Sequence, residues 1–210
     1  LYVGGKQSRP DSGYSQDVRA PDGRLLGEVG QGNRKDVRNA VEAAHRALKG
    51  WSRATAHNRA QVLYYIAENL AERAGELAGR IDAMTGVGRQ GAAGEVAAAI
   101  RRLFAYAAWA DKWDGAVHHT PIRNVTIAMP EPIGVFGVAA PDQNPLLGFI
   151  SATIPLVAMG NTVVAVPSES APLAATDLYQ VLDTSDLPGG VLNIVTGPRD
   201  ELVQTLAGHY

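Results

Sequence analysis

Three short segments combine polar side chains with the turn positions at which chemistry is commonly done. They are Ala139-Ala140-Pro141-Asp142-Gln143-Asn144-Pro145, Pro167-Ser168-Glu169-Ser170 and Thr196-Gly197-Pro198-Arg199-Asp200, and each follows a β-prone apolar run. In an open parallel sheet a ligand sits beyond the carboxyl ends of the strands, so these turns would line such a crevice. Glu169 could accept hydrogen bonds from a ribose diol, and helix N-termini at Pro145 and Asp200 could face an anion. None of the three is a GxGxxG or Walker loop, and Gly134-Val135-Phe136-Gly137 falls inside a strand-like run. On residue types alone a nucleotide site competes with ordinary turns in which Asp and Ser cap helices.

Other chemistries are easier to exclude. The 210 residues contain no cysteine, which removes disulfides, thiolate metal sites and cysteine nucleophiles from these residues. The five histidines lack HxxxH or HExxH spacing, so no metal site is expected. With 19 basic and 21 acidic residues the net charge is −2, and no basic surplus favours nucleic acid or anionic lipid. No apolar run reaches the ~18 residues of a membrane helix, and Leu1–Lys6 lacks the charged-then-apolar pattern of a secretory signal. The expectation is a cytoplasmic protein without nucleic-acid or membrane partners, in which the Asn124-Val125-Thr126 sequon is a chance match. Glu95, beside small residues and Arg101-Arg102, reads as solvated, and His118-His119 as exposed loop.

Hydrophobic spacing divides the chain into an arm (1–32), a helical segment (33–115) and an alternating part (116–210). The arm is rich in Gly, Pro, Asp and Ser, with weak strands. Asn33 reads as an N-cap, with Asp36 three residues on, for a helix burying Val37, Ala40, Val41, Ala44, Ala47 and Leu48. A second, longer helix carries one stripe from Val62 to Met84 and stops at Gly86. A third runs from about Glu95 to Trp113. Beyond Gly115, strands are expected at Val125–Met129, Ile133–Val138, Thr162–Val166 and Val191–Val195. They alternate with helices at Leu146–Met159, Pro172–Leu182 and Asp200–Ala207. That alternation predicts an α/β fold with a doubly wound parallel sheet.

The blocks Val3-Gly4-Gly5-Lys6, Ala43–Ala47 with Trp51-Ser52, Glu131-Pro132-Ile133-Gly134-Val135, Gly160–Val164, Pro167-Ser168-Glu169 and Leu187–Gly197 occur in the order of a known family. Taken together the chain resembles the N-terminal half of the aldehyde dehydrogenase superfamily. The resemblance implies a Rossmann-like sheet and NAD(P)-dependent oxidation of aldehydes to acids through a cysteine thioester and a glutamate base. Both catalytic residues of the family lie beyond the stretch matched here, so the reading expects a longer polypeptide whose later strands fill the open sheet edge. It places vestigial cofactor contacts at Ala140, Pro141, Gln143, Ser168, Glu169 and Gly197.

The departures from the family pattern carry more weight. Gln143 stands at the position of the oxyanion-binding Asn, and one methylene displaces a donor that tolerates little misplacement. Asn144 is not expected to substitute, because neighbours in an extended segment point oppositely. Val166 replaces a ribose-binding Lys and cannot donate a hydrogen bond. Arg199 replaces the second glycine of Gly-x-Gly, and Val203 a small residue four positions on. The pattern resembles the non-catalytic second domain of tandem aldehyde dehydrogenases, which implies a structural or oligomerising role beside a catalytic domain or in a homo-oligomer. The arm and the Val125–Met129 strand are the candidate interfaces. The alternative is a working NAD(P)-dependent dehydrogenase, supported by Glu169, whose Cys and Glu lie beyond residue 210.

Overall fold

The computed structural model describes residues 1–113 and 115–209. Its main sheet has five strands in the order β2-β1-β9-β8-β7. Strands β7 (Val135–Ala139), β8 (Thr162–Val166) and β9 (Leu192–Ile194) are parallel. The short strands β1 (Tyr2–Val3) and β2 (Lys6–Gln7) add antiparallel beside β9. The beginning of the arm is therefore built into the sheet, with Tyr2 opposite Ile194. The rest of the arm forms a separate hairpin, β3 (Ser15–Arg19) with β4 (Leu25–Gly30). A second hairpin pairs β5 (Ala116–His118) with β6 (Thr126–Ala128).

Helices cover both faces of the sheet. Helix α1 (Arg34–Arg53) starts at a capping box in which Asn33 and Asp36 satisfy each other's backbone N–H groups. With Leu202 of α8 (Arg199–Ala207) it buries Val37, Ala40, Val41 and Ala44 against Val164, Val166 and Val195. The other face carries the larger core. There α5 (Pro145–Ala158), apolar nearly all round, lies between the sheet and helices α2 (Ala56–Glu72), α3 (Ala74–Thr85) and α4 (Arg89–Ala110). Trp51 joins the two layers by donating from Nε1 to the Val157 carbonyl at 2.9 Å.

Two expected helices are each divided. The Val62–Met84 stripe is carried by α2 and α3, which break at Arg73, while Gly86 supplies the left-handed stop at φ 66°. The Pro172–Leu182 helix is α6 (Leu173–Thr176) and α7 (Leu178–Asp183), broken at Asp177. The two breaks meet. Arg73 Nη1 donates to the Asp177 carbonyl at 3.4 Å, and Arg80 Nε reaches the Asp177 carboxylate at 2.9 Å. Long-range pairing at these points overrides a hydrophobic period that continues through both breaks.

Strand β7 forms one edge of the sheet, and its five apolar residues are half-buried or exposed, whereas all five of β8 are buried. Asn161 positions the entry to this edge: its Oδ1 accepts from Ile133 N and Gly134 N, and its Nδ2 donates to the Leu156 carbonyl.

Candidate functional site

Strands β7, β8 and β9 place the three polar turns side by side at their carboxyl ends. After β7 the chain turns at Ala140, which is fully buried, and Pro141, which is exposed, to reach the N-terminus of α5. Asn144 adopts a left-handed conformation at φ 49°, so this segment is not extended at that residue as expected. Its side chain does not cap α5, and Pro145 at the first turn has no N–H to give. The cap comes from another helix. Glu95 of α4, only 8% exposed, accepts from Leu146 N at 2.8 Å and Leu147 N at 3.2 Å. The expectation of a solvated Glu95 is corrected by these bonds, whose partners lie about fifty residues away.

Asp142 is the hub of the cleft. Its Oδ1 accepts from Ser168 Oγ at 2.9 Å, Glu169 N at 3.0 Å and Ser170 N at 3.4 Å, and its Oδ2 meets Arg199 Nη1 at 3.0 Å. Partial burial acts to raise the Asp142 pKa. The Ser168 hydroxyl, the Ser170 and Glu169 N–H groups and the Arg199 charge outweigh it and hold the carboxyl below the usual aspartate range. Glu169 is exposed, and its Oε2 accepts from the backbone N–H of Arg199 at 3.3 Å, at the start of α8. Ser168 is buried and also receives Ala171 N at 3.0 Å. One carboxylate thus ties together the turns that follow three successive parallel strands.

The remaining singled-out residues have these surroundings. Gln143 is exposed. Val166 is fully buried among the residues under α1 and α8, so its side chain belongs to the core and not to the crevice. Val203 is half-buried on α8. Gly197 has φ 143°, and a Cβ there would lie 3.0 Å from the backbone of Gly32. Close packing of the loop before α1 therefore requires this glycine, without any ligand. Thr196 secures the same contact, donating to the Gly30 carbonyl and accepting from Gly32 N. Between these groups and the β3–β4 hairpin lies a narrow slot without room for a water-sized group, lined by Gln16, Pro167, Ser168, Glu169, Thr196 and Gly197.

A family model described as the aldehyde dehydrogenase family matches residues 9–210. The chain belongs to the aldehyde dehydrogenase family. Hydroxyisobutyraldehyde dehydrogenase of Mycolicibacterium austroafricanum is 34% identical over 211 residues, covering 100% of this chain and 42% of that protein. An NADP-dependent enzyme of E. coli superposes with a TM-score of 0.96 at 27% identity, over 99% of this chain and 44% of that one. A Staphylococcus aureus betaine aldehyde dehydrogenase in complex with NAD+ superposes with a TM-score of 0.95 at 26% identity, over 99% and 43%. The chain thus spans less than half the length of these proteins. Family membership and the doubly wound α/β fold agree with the sequence reading.

Within this dehydrogenase fold, Asp142 and Glu95 are the functional-region residues that sequence reasoning passed over. For Asp142 a signal existed: an acid and Arg199 in neighbouring carboxyl-end turns are a natural ion pair. For Glu95 the signal was an acid on an otherwise small-residue helix opposite a helix start that begins with proline. Among the described residues no group of three or more His, Asp or Glu side chains could hold a metal ion. No helix among them is long and apolar enough to cross a membrane.

Proposed function

We propose that this chain is a non-catalytic aldehyde-dehydrogenase-like domain with a degenerate NAD site. In this reading it serves a structural or oligomerising role in a larger aldehyde dehydrogenase polypeptide, as the second domain of a tandem enzyme does. The observation that carries the reading is the occupation of the carboxyl-end crevice by the protein's own charges. Arg199 lies across it, paired with Asp142, and the slot beside Glu169 has no room for a water-sized group. These residues do not fit a dinucleotide: a guanidinium and its counter-ion stand where the family leaves a glycine backbone, and Val166 offers a methyl group to the core in place of an ammonium. Gln143, exposed beyond Pro141, supports the same reading.

An assembly role is supported by the β5–β6 hairpin. Val117 and Ile127 face each other across it and are 76% and 59% exposed, with Val125 and Met129 also exposed beside them. Its partner in this reading is either a second copy or a catalytic domain of the same polypeptide, in the cytoplasm, and the aldehyde substrate belongs to that catalytic domain. Calorimetric titration of the chain with NAD and NADP tests the proposal. A folded sample that releases no binding heat is the expected result, and saturable micromolar binding of either nucleotide would overturn it.

A further inference from the structure

We infer that Asp142 acts as a built-in anionic ligand, and that beneath it lies a latent anion site formed by the Ser168 hydroxyl, the Glu169 and Ser170 N–H groups and the Arg199 guanidinium. The inference deepens the reading of the crevice as closed, and rests on it. Four donors from two separate turns converge on one carboxylate supplied by a third, at 2.9, 3.0, 3.4 and 3.0 Å. In doubly wound folds, backbone N–H groups at the strand ends commonly meet the charged part of a ligand. Here the contact is intramolecular, so the strand ends are joined without an external group.

Ser168 is held in place independently of Asp142, and Arg199 is fixed at its backbone. Ser168 is 1% exposed and is held by Ala171 N and by the Ser170 hydroxyl at 3.2 Å. Arg199 is anchored at its backbone by Glu169, and its Nε is buried without a hydrogen-bond partner among the described residues, where Asp142 is the carboxylate paired with it. Deleting the carboxylate would leave a cationic group, a hydroxyl and two N–H groups aimed at one vacated point. A small carboxylate or a phosphate oxygen fits that donor set.

The test is chemical rescue. Thermal midpoints would be measured for the unaltered chain, D142A and D142N in sodium formate, with sodium chloride at equal ionic strength as the control. D142A is expected to melt about 5 °C lower. Formate, but not chloride, should restore more than half of that loss saturably, and leave the unaltered chain and D142N in place. Equal formate shifts in D142A and the unaltered chain would overturn the inference. If D142A does not fold at any formate concentration, coupling decides. A D142N midpoint equal to that of the unaltered chain overturns the inference, and a lowered midpoint that R199A does not lower further upholds it. NAD titration of the unaltered chain tests the closed-crevice reading separately, since its outcome does not depend on rescue of D142A.

Discussion

Replacing Glu95 by alanine removes the acceptor for two backbone N–H groups at the start of α5. The Leu146 N–H is buried and the Leu147 N–H partly so. Stranding the first costs about 1–3 kcal/mol, and the second, which water can reach, about half as much. Loss of negative charge at a helix N-terminus adds roughly 0.5 kcal/mol. Relief of the cost of burying Glu95 itself offsets part of the sum. A net loss of about 2–3 kcal/mol is expected, or ~5–10 °C in the melting midpoint of a chain this long. E95Q keeps an oxygen acceptor in place and should lose about 1 kcal/mol. Urea unfolding at constant m-value would measure both. The reasoning is refuted if E95Q is as damaging as E95A, or if E95A lies within about 0.5 kcal/mol of the unaltered chain.

Tyr179 is buried with a hydroxyl that has no partner among the described residues, while Tyr2, stacked on it at 5.1 Å, donates to Asp183 at 2.7 Å. Y179F should therefore be neutral or stabilising by up to about 1 kcal/mol, read as an unchanged or raised urea midpoint. Burial raises both phenols above their ordinary value. The unfolded chain then releases protons first, so the stability they support is full below about pH 10 and falls as pH rises further. Melting between about pH 9 and 11 should show a shallower alkaline decline in Y179F than in the unaltered chain. If the β5–β6 hairpin assembles copies of this chain, V117S/I127S should lower the sedimentation coefficient toward that of a monomer while leaving circular dichroism unchanged. An unaltered chain that already sediments as a monomer assigns the hairpin to a different partner.

Local chemistry was legible from the sequence. The Asn33–Asp36 box and the Gly86 stop are decided within one helical turn, and all five residues of β8 were read within their correct bounds. What escaped the reading depended on partners far along the chain. The break at Arg73 answers to Asp177, 104 residues on, and Glu95 caps a helix 51 residues away. Arg199 was legible as a departure from a glycine, but its meaning lay in Asp142, 57 residues earlier. Hydrophobic period cannot register such contacts, because the interrupted stripe from Val62 to Met84 stays buried on both sides of the break.

The placement of β1 between β2 and β9 sets an order of events during synthesis. Tyr2 is made about 190 residues before its register partner Ile194. At ~5–20 residues per second that interval is roughly 10–40 s. Helices α2, α3 and α4 draw on nearer contacts and can associate during it, whereas Tyr2 and Val3 have only their local pairing with β2 until β9 emerges. Strand β1 is thus among the last parts of the sheet to be secured, although it is the first of them to be made.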